Sequence, residues 1–332
     1  MIAGTSLTNI VVPKTVKAIG EYAFAYSKHL QKVSFEEGSQ LTSIGQYAFT
    51  ETSALDTVDL ANATKLQSIS AYTFFGSGIK SVVIPATITQ IGQYAFNQCK
   101  SLTSATIKGA VTMETYVFES CKALETVVFE QPITAIADYT FKDCVSLKSV
   151  TVEEGLKTIG NNAFNGSGLT EFVLPKSVEV IEVSAFSKCA NLTTFTIPDD
   201  SKLWLLNSSA FGQSGLTSIK LPASLTSIQA YAFKNCAKLE KIEFAEPTDI
   251  IKISTEAFMG CTSATIYIPQ KATLNAQGVF NGWTAEQTIY VIGRTESDIM
   301  EDWYGTFADE IASGNSWRTN CNAKIVWNYT MP

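Results

Sequence analysis

The sequence predicts an α/β solenoid: a parallel sheet of about 12 short strands, short helical or 3-10 turns opposite it, and a small C-terminal α/β cap. Three observations carry this prediction. A phenylalanine recurs every 22 to 25 residues, at Phe24, Phe49, Phe74, Phe96, Phe118, Phe141, Phe164, Phe186, Phe211, Phe233, Phe258 and Phe280. Fixed columns of apolar and small residues accompany each one. The period then breaks after about Thr284. A unit of this length cannot bury its own apolar face, whereas stacked copies can, so self-similarity at this period signals a quasi-one-dimensional array.

Each element follows from its columns. About six residues after the phenylalanine comes Leu or Ile (Leu30, Leu55, Ile79, Leu102, Leu124, Leu147), then an alternating apolar pair such as Val33/Phe35, Val82/Ile84 or Val127/Phe129. Alternation with period two marks a short strand. Pro85, Pro175, Pro198, Pro222 and Pro269 close it, because proline removes a ladder donor. An aliphatic residue follows five positions before the next phenylalanine (Ile19, Ile44, Ile69, Ile91, Met113, Ile136). The segment around Tyr-Ala-Phe then reads as a short helical or 3-10 turn on the opposite side. In-register stacking makes the phenylalanine column an internal ladder, with strands roughly 4.8 Å apart.

At the ends, Leu7, Ile10 and Val12 fit the strand columns of a repeat whose phenylalanine would fall at position 1, so the expectation is a truncated first repeat and a chain that begins inside the array. The expected organisation is a solenoid over 1–284 and a strand–helix–strand cap over 285–332. The cap is read from Ile289–Ile292 as a strand, 295–312 as a helix with Ile299, Trp303, Phe307 and Ile311 on one face, and Ala323–Trp327 as a final strand.

Composition excludes several functions. The chain of 332 residues carries 24 Lys+Arg against 31 Asp+Glu, a net charge of −7, which disfavours nucleic acid as a partner. No apolar run reaches the 18 or so residues of a membrane span, and the N-terminus has no signal-peptide pattern, although one preceding a truncated start would be lost. The single histidine, His29, rules out His-based triads and multi-His metal sites, and its turn position reads as solvated loop.

The remaining chemistry-bearing residues have structural readings. Cys99, Cys121, Cys144, Cys189, Cys236 and Cys261 fall three residues after the repeat phenylalanine, in a column that elsewhere holds Ser27, Thr52, Ser77, Ser167 and Ser214. A column accepting Cys, Ser or Thr wants a small, weakly hydrogen-bonding side chain, so buried free thiols are expected ahead of disulfides between stacked neighbours. No Cys-x-x-Cys occurs, which argues against zinc. The pairs Glu36-Glu37, Glu153-Glu154 and Asp199-Asp200 follow strands; adjacent residues on extended chain face opposite ways, so a solvated rim is preferred to a shared acid or calcium site. The late tryptophans, Trp303 above all, read as cap core. No catalytic residue, cofactor or metal is expected.

The outward strand face is the candidate binding surface. One column holds Thr57, Ser81, Ser104, Thr126, Ser149, Thr194, Ser218 and Lys241, and eight of its eleven positions from Lys32 to Thr265 are Ser or Thr. The neighbouring column contributes Thr106, Thr151, Thr196, Lys220, Glu243 and Tyr267. Extended solenoid faces suit extended partners; equally, Ser and Thr suit exposed parallel strands without any ligand.

The repeat Ile-Gly-x-Tyr-Ala-Phe-x-x-Cys-x-x-Leu-x-x-Val-x-Ile-Pro, clearest at Ile91–Ile107, Ile181–Pro198 and Ile228–Phe244, resembles the BspA-type leucine-rich repeat of bacterial surface proteins. The likeness covers about residues 5–285. It implies a right-handed solenoid, an extracellular or cell-surface location, and adhesion to a host or neighbouring-cell protein or glycan, including extracellular matrix, by a monomer. It carries no catalytic residue to this chain. A structural spacer that displays other domains and an intracellular scaffold remain open alternatives at this point.

Overall fold

The computed structural model describes residues 4–274, 276–299 and 316–331. Over these residues the chain is a parallel β-solenoid of about 12 coils. It divides into two compact units, Met1–Leu156 with Ala163–Leu169, and Lys157–Asn162 with Thr170–Pro332.

Each coil contributes a longer strand from the alternating columns. In the first unit, Ser81–Ile84, Ser104–Ile107, Thr126–Phe129 and Ser149–Thr151 pair in parallel register, Ser81 opposite Ser104, Thr126 and Ser149 in turn. Asn9–Val12, Lys32–Phe35 and Thr57–Val58 pair the same way. In the second unit, Glu171–Val173 pairs with Thr194–Thr196, and Ser218–Leu221, Lys241–Phe244, Thr265–Ile268, Thr288–Ile292 and Lys324–Tyr329 form one sheet. The alternation is read out directly as burial: Ser81 and Val83 are exposed while Val82 and Ile84 are buried. The aliphatic column before each phenylalanine forms a second strand of two or three residues per coil, such as Ser43–Ile44, Gln90–Ile91 and Ser227–Ile228, which the sequence reading assigned no strand.

The segments opposite the long strands are not helical. Two positions per coil hold a left-handed backbone: two before the phenylalanine (Tyr22, φ 52°; Tyr94, φ 57°) and two after it (Tyr26, φ 59°; Gln98, φ 56°). This alternation interrupts helical bonding. It turns every second N–H toward the next coil, so Tyr22, Phe24 and Tyr26 donate to the carbonyls of Gln46, Ala48 and Thr50 at 2.8–3.1 Å. The same ladder runs from Ser209, Phe211 and Gln213 to Ala230, Ala232 and Lys234 in the second unit. The intervening N–H groups bond within the turn, Ala23, Ala25 and Ser27 to the carbonyls of Gly20, Tyr22 and Phe24 at 3.2–3.3 Å, so inter-coil and intra-turn bonds together satisfy this backbone.

The interior is apolar and layered. Seven rings from Phe24 to Phe164 stack through the first unit at centroid spacings of 5.2–5.8 Å. Five rings from Phe186 to Phe280 do so in the second at 5.3–5.7 Å. Phe280 ends against Trp283 and Trp317, both fully buried. Of the helix predicted over 295–312, residues 300–312, with Trp303, Phe307 and Ile311, lie outside the described residues; Ser297–Ile299 is a 3-10 turn. Among the described residues no helix is long and apolar enough to cross a membrane.

Candidate functional site

The parallel register gathers the predicted face into rows. In the first unit, Ser81, Ser104, Thr126 and Ser149 form one row, and Val83, Thr106, Val128 and Thr151 form the next. Thr57 lies opposite Lys32 in the sheet nearer the N-terminus. In the second unit, Thr194 and Thr196 oppose Glu171 and Val173, while Ser218, Lys241, Thr265, Thr288 and Lys324 make a single row. Every one of the predicted residues is exposed or partly exposed, because period-two alternation on a one-sided core leaves this column outside.

The exposed side chains of this face are mostly hydroxyls in the first unit, with charged and aromatic groups concentrated in the second. In the first unit, Val83 (49% exposed) and Val128 alternate with Thr106 and Thr151 along one row. In the second, Lys220 bonds Asp199 at 2.7 Å and Lys241 bonds Glu243 at 2.8 Å. The Glu243 carboxylate raises the Lys241 ammonium above its usual range. The Lys241 Nζ also lies 5.8 Å from the centre of the Tyr267 ring. Tyr267 in turn stacks on Tyr290 at 4.9 Å, and Tyr329 leans on both, 4.5 Å from Tyr290. Desolvation among these rings pushes the Tyr267 phenol up. Tyr290 and Tyr329 were missed in the sequence because they sit beyond the periodic region, where no column marks them as outward.

A second feature was also missed. Tyr22, Tyr47, Tyr72, Tyr94, Tyr116 and Tyr139 stack in one ribbon along the first unit at 4.4–4.7 Å. The signal was present as a tyrosine two residues before the phenylalanine in six successive repeats.

Other chemistry-bearing residues are placed apart. His29 is exposed in its turn. Asp199 and Asp200 each pair with a different lysine, Lys220 and Lys176, so they share no site. Glu36 accepts a hydrogen bond from the Lys14 N–H at 2.8 Å. None of the seven cysteines is in a disulfide, and six are buried. Cys99, Cys121, Cys144, Cys236 and Cys261 each donate to a phenylalanine carbonyl of the preceding coil at 3.0–3.1 Å, which explains a column that alternates with Ser and Thr. Burial pushes the Cys121 and Cys144 thiols well up, away from the reactive thiolate. Among the described residues no group of three or more His, Cys, Asp or Glu could hold a metal ion.

Comparison with known proteins gives a consistent picture. A family model described as the BspA type leucine rich repeat region matches 6 copies over residues 2–125, 111–204 and 204–297. Among solved structures, a leucine-rich repeat protein from Bacteroides ovatus is 19% identical, with a TM-score of 0.62 over 96% of this chain and 92% of its own. A leucine-rich repeat protein from Eubacterium ventriosum is 21% identical, TM-score 0.51, over 85% and 83%. The pneumococcal vaccine antigen PcpA is 17% identical, TM-score 0.50, over 96% and 79%. At these identities the likeness is one of fold. No curated protein matches the chain in sequence.

Proposed function

Because the chain belongs to the BspA-type leucine-rich-repeat family, whose members serve in general as protein-interaction or surface proteins, we propose that it is an extracellular or cell-surface adhesion module that binds an extended protein or glycan partner of a host or neighbouring cell. The observation that carries this reading is the outward strand face, where the parallel register lines up the hydroxyls of Ser81, Ser104, Thr126 and Ser149 in one row. Solenoids bind partners along such faces with many shallow contacts in place of one pocket. The Tyr267, Tyr290 and Tyr329 cluster beside Lys241 is the part of this face with the composition of an interface hot spot, since tyrosine supplies large contact area at low entropic cost. The surface location takes support from the fold relationship to a pneumococcal antigen. In this reading residues 1–284 form the recognising solenoid and 285–332 its cap. No catalysis is proposed: solenoids of this repeat are binding or structural modules in general.

The test is a pull-down with the purified chain against extracellular-matrix proteins, beside a glycan array. A variant carries Thr106→Lys, Thr126→Lys, Thr151→Lys and Thr196→Lys, all outward, so that folding is spared. Saturable binding that this variant loses supports an adhesin working through the strand face. Binding that survives moves the site to another surface. No binding by either folded protein favours a spacer that displays other domains.

A further inference from the structure

The tyrosine ribbon has a chemistry that binding does not use. Its six rings come one from each of six successive coils, all from the position two before the buried phenylalanine, with φ between 52° and 64°. Identical backbone geometry and parallel register carry each ring onto the next by translation. Centroids are 4.7, 4.6, 4.7, 4.6 and 4.4 Å apart from Tyr22 to Tyr139, and adjacent planes differ by 4° to 19°. Like-named ring carbons are therefore separated by about the centroid distance, and each ortho carbon faces the ortho carbon of its neighbour. The ribbon is open to solvent: Tyr22 is 36% exposed and the other five are partly exposed. Its ring faces are covered by one another, so apart from the two ends it offers no free face on which a sugar or planar ligand could stack. What it presents outward is phenol edges, one above the next at the 4.4–4.7 Å ring spacing.

We infer that this ribbon is a site of oxidative modification, at which hydrogen peroxide and a haem peroxidase join neighbouring tyrosines as dityrosine and staple successive coils. In that step each of two phenols loses one electron and one proton to give a phenoxyl radical. The peroxide takes both electrons and both protons and leaves as two water molecules. The two radicals form one carbon–carbon bond between facing ortho carbons. Each ring hydrogen displaced there returns to its own phenolic oxygen, and the product carries two hydrogens fewer than the starting pair. The stacked pair Tyr267 and Tyr290, at 4.9 Å and 7°, meets the same geometric requirement. Tyr26 does not: it is more exposed, at 56%, yet among the described residues it stands in no ring stack. The molecule thus separates stacking from exposure as the determinant of coupling.

The experiment treats the dilute full chain with peroxidase and hydrogen peroxide, reads dityrosine fluorescence, and locates the links by mass spectrometry of the digest. A double variant, Tyr94→Phe with Tyr116→Phe, keeps the stack but removes two phenols. The expected result is intrachain links between ladder neighbours, several-fold more abundant than any link from Tyr26. In the variant the links at 94 and 116 disappear, while Tyr22–Tyr47 and Tyr47–Tyr72 links persist. The oxidised chain also unfolds at a higher temperature than the untreated one. Links dominated by Tyr26 or by chain-to-chain dimers would overturn the inference. So would absence of dityrosine in the chain while free tyrosine couples in the same mixture.

Discussion

Truncating Phe118 to alanine probes the interior ladder where its two flanks are both complete. The ring is fully buried, stacked at 5.4 Å on Phe96 and at 5.8 Å on Phe141. Loss of a buried phenylalanine side chain costs about 3–5 kcal/mol through lost transfer energy and the cavity left behind. The cavity here lies between two coils whose backbones are tied by hydrogen bonds on either side, Phe96 N–H to the Val117 carbonyl and Phe118 N–H to that of Thr140 at 3.0 Å, so collapse around it is restricted. The cost should sit in the upper part of that range. Phe24→Ala is the internal comparison, since Phe24 is 9% exposed and stacks on one ring, Phe49. It forfeits one aromatic contact where Phe118 forfeits two, a difference of about 0.5–1.5 kcal/mol before the smaller cavity is counted. Because repeat arrays open locally, the suitable assay is native-state hydrogen exchange along the chain together with urea unfolding. At about 1.4 kcal/mol per power of ten, Phe118→Ala should speed exchange of amides in its neighbouring coils by roughly three to three-and-a-half powers of ten. Equal costs for the two variants, or a loss at Phe118 below about 1 kcal/mol, would refute the picture of a two-sided packed stack.

Three further outcomes are expected. Gly92→Ala should be strongly destabilising in thermal unfolding, because its Cβ would lie 2.5 Å from the Ala71 nitrogen; Gly20→Ala, with nothing within 4 Å of its Cβ, should be close to neutral, and a reversal would discredit the coil spacing. In the folded chain, Cys121 and Cys144 should resist a thiol reagent that labels all seven cysteines after denaturation; labelling at equal rates in both states would show that the column is not buried. The raised pKa of these two thiols also sets a pH dependence. Their contribution is complete below the unfolded thiol pKa of about 8.5 and is lost as pH rises above it, when unfolded thiols ionise and folded ones do not. The urea midpoint should therefore fall between about pH 8.5 and pH 10, and the double variant Cys121→Ser, Cys144→Ser should fall less steeply over that span.

Much of the architecture was legible in the chain itself. Strand positions, the phenylalanine ladder, the outward face and the thiol column all follow from columns that repeat every 22 to 25 residues, because in a stacked array a residue's environment is set by its place in the repeat. Thr106 and Val127 announce outside and inside by alternation alone. The expectation of helical turns failed for a reason that periodicity does not carry. An i, i+3 apolar spacing in a short turn is compatible with a helical or 3-10 turn, which is why periodicity alone favoured one. What competes with the helix is the next coil, whose carbonyls take every second N–H and hold Tyr22 and Tyr26 in left-handed backbone. The short second strand, Ser43–Ile44 and its equivalents, likewise exists only through its partner one coil away.

The sequence alone determined that the chain is a solenoid, which columns are buried, and that a single histidine is present. Only the tertiary structure decided which side chains touch. It put Tyr116 onto Tyr139, Tyr329 against Tyr267 and Tyr290, and Asp199 and Asp200 with different lysines. The physical reason is that a repeat encodes position within a coil, whereas contact distances depend on the stacking translation between coils, and that translation is fixed by inter-coil hydrogen bonds formed after the chain has wound.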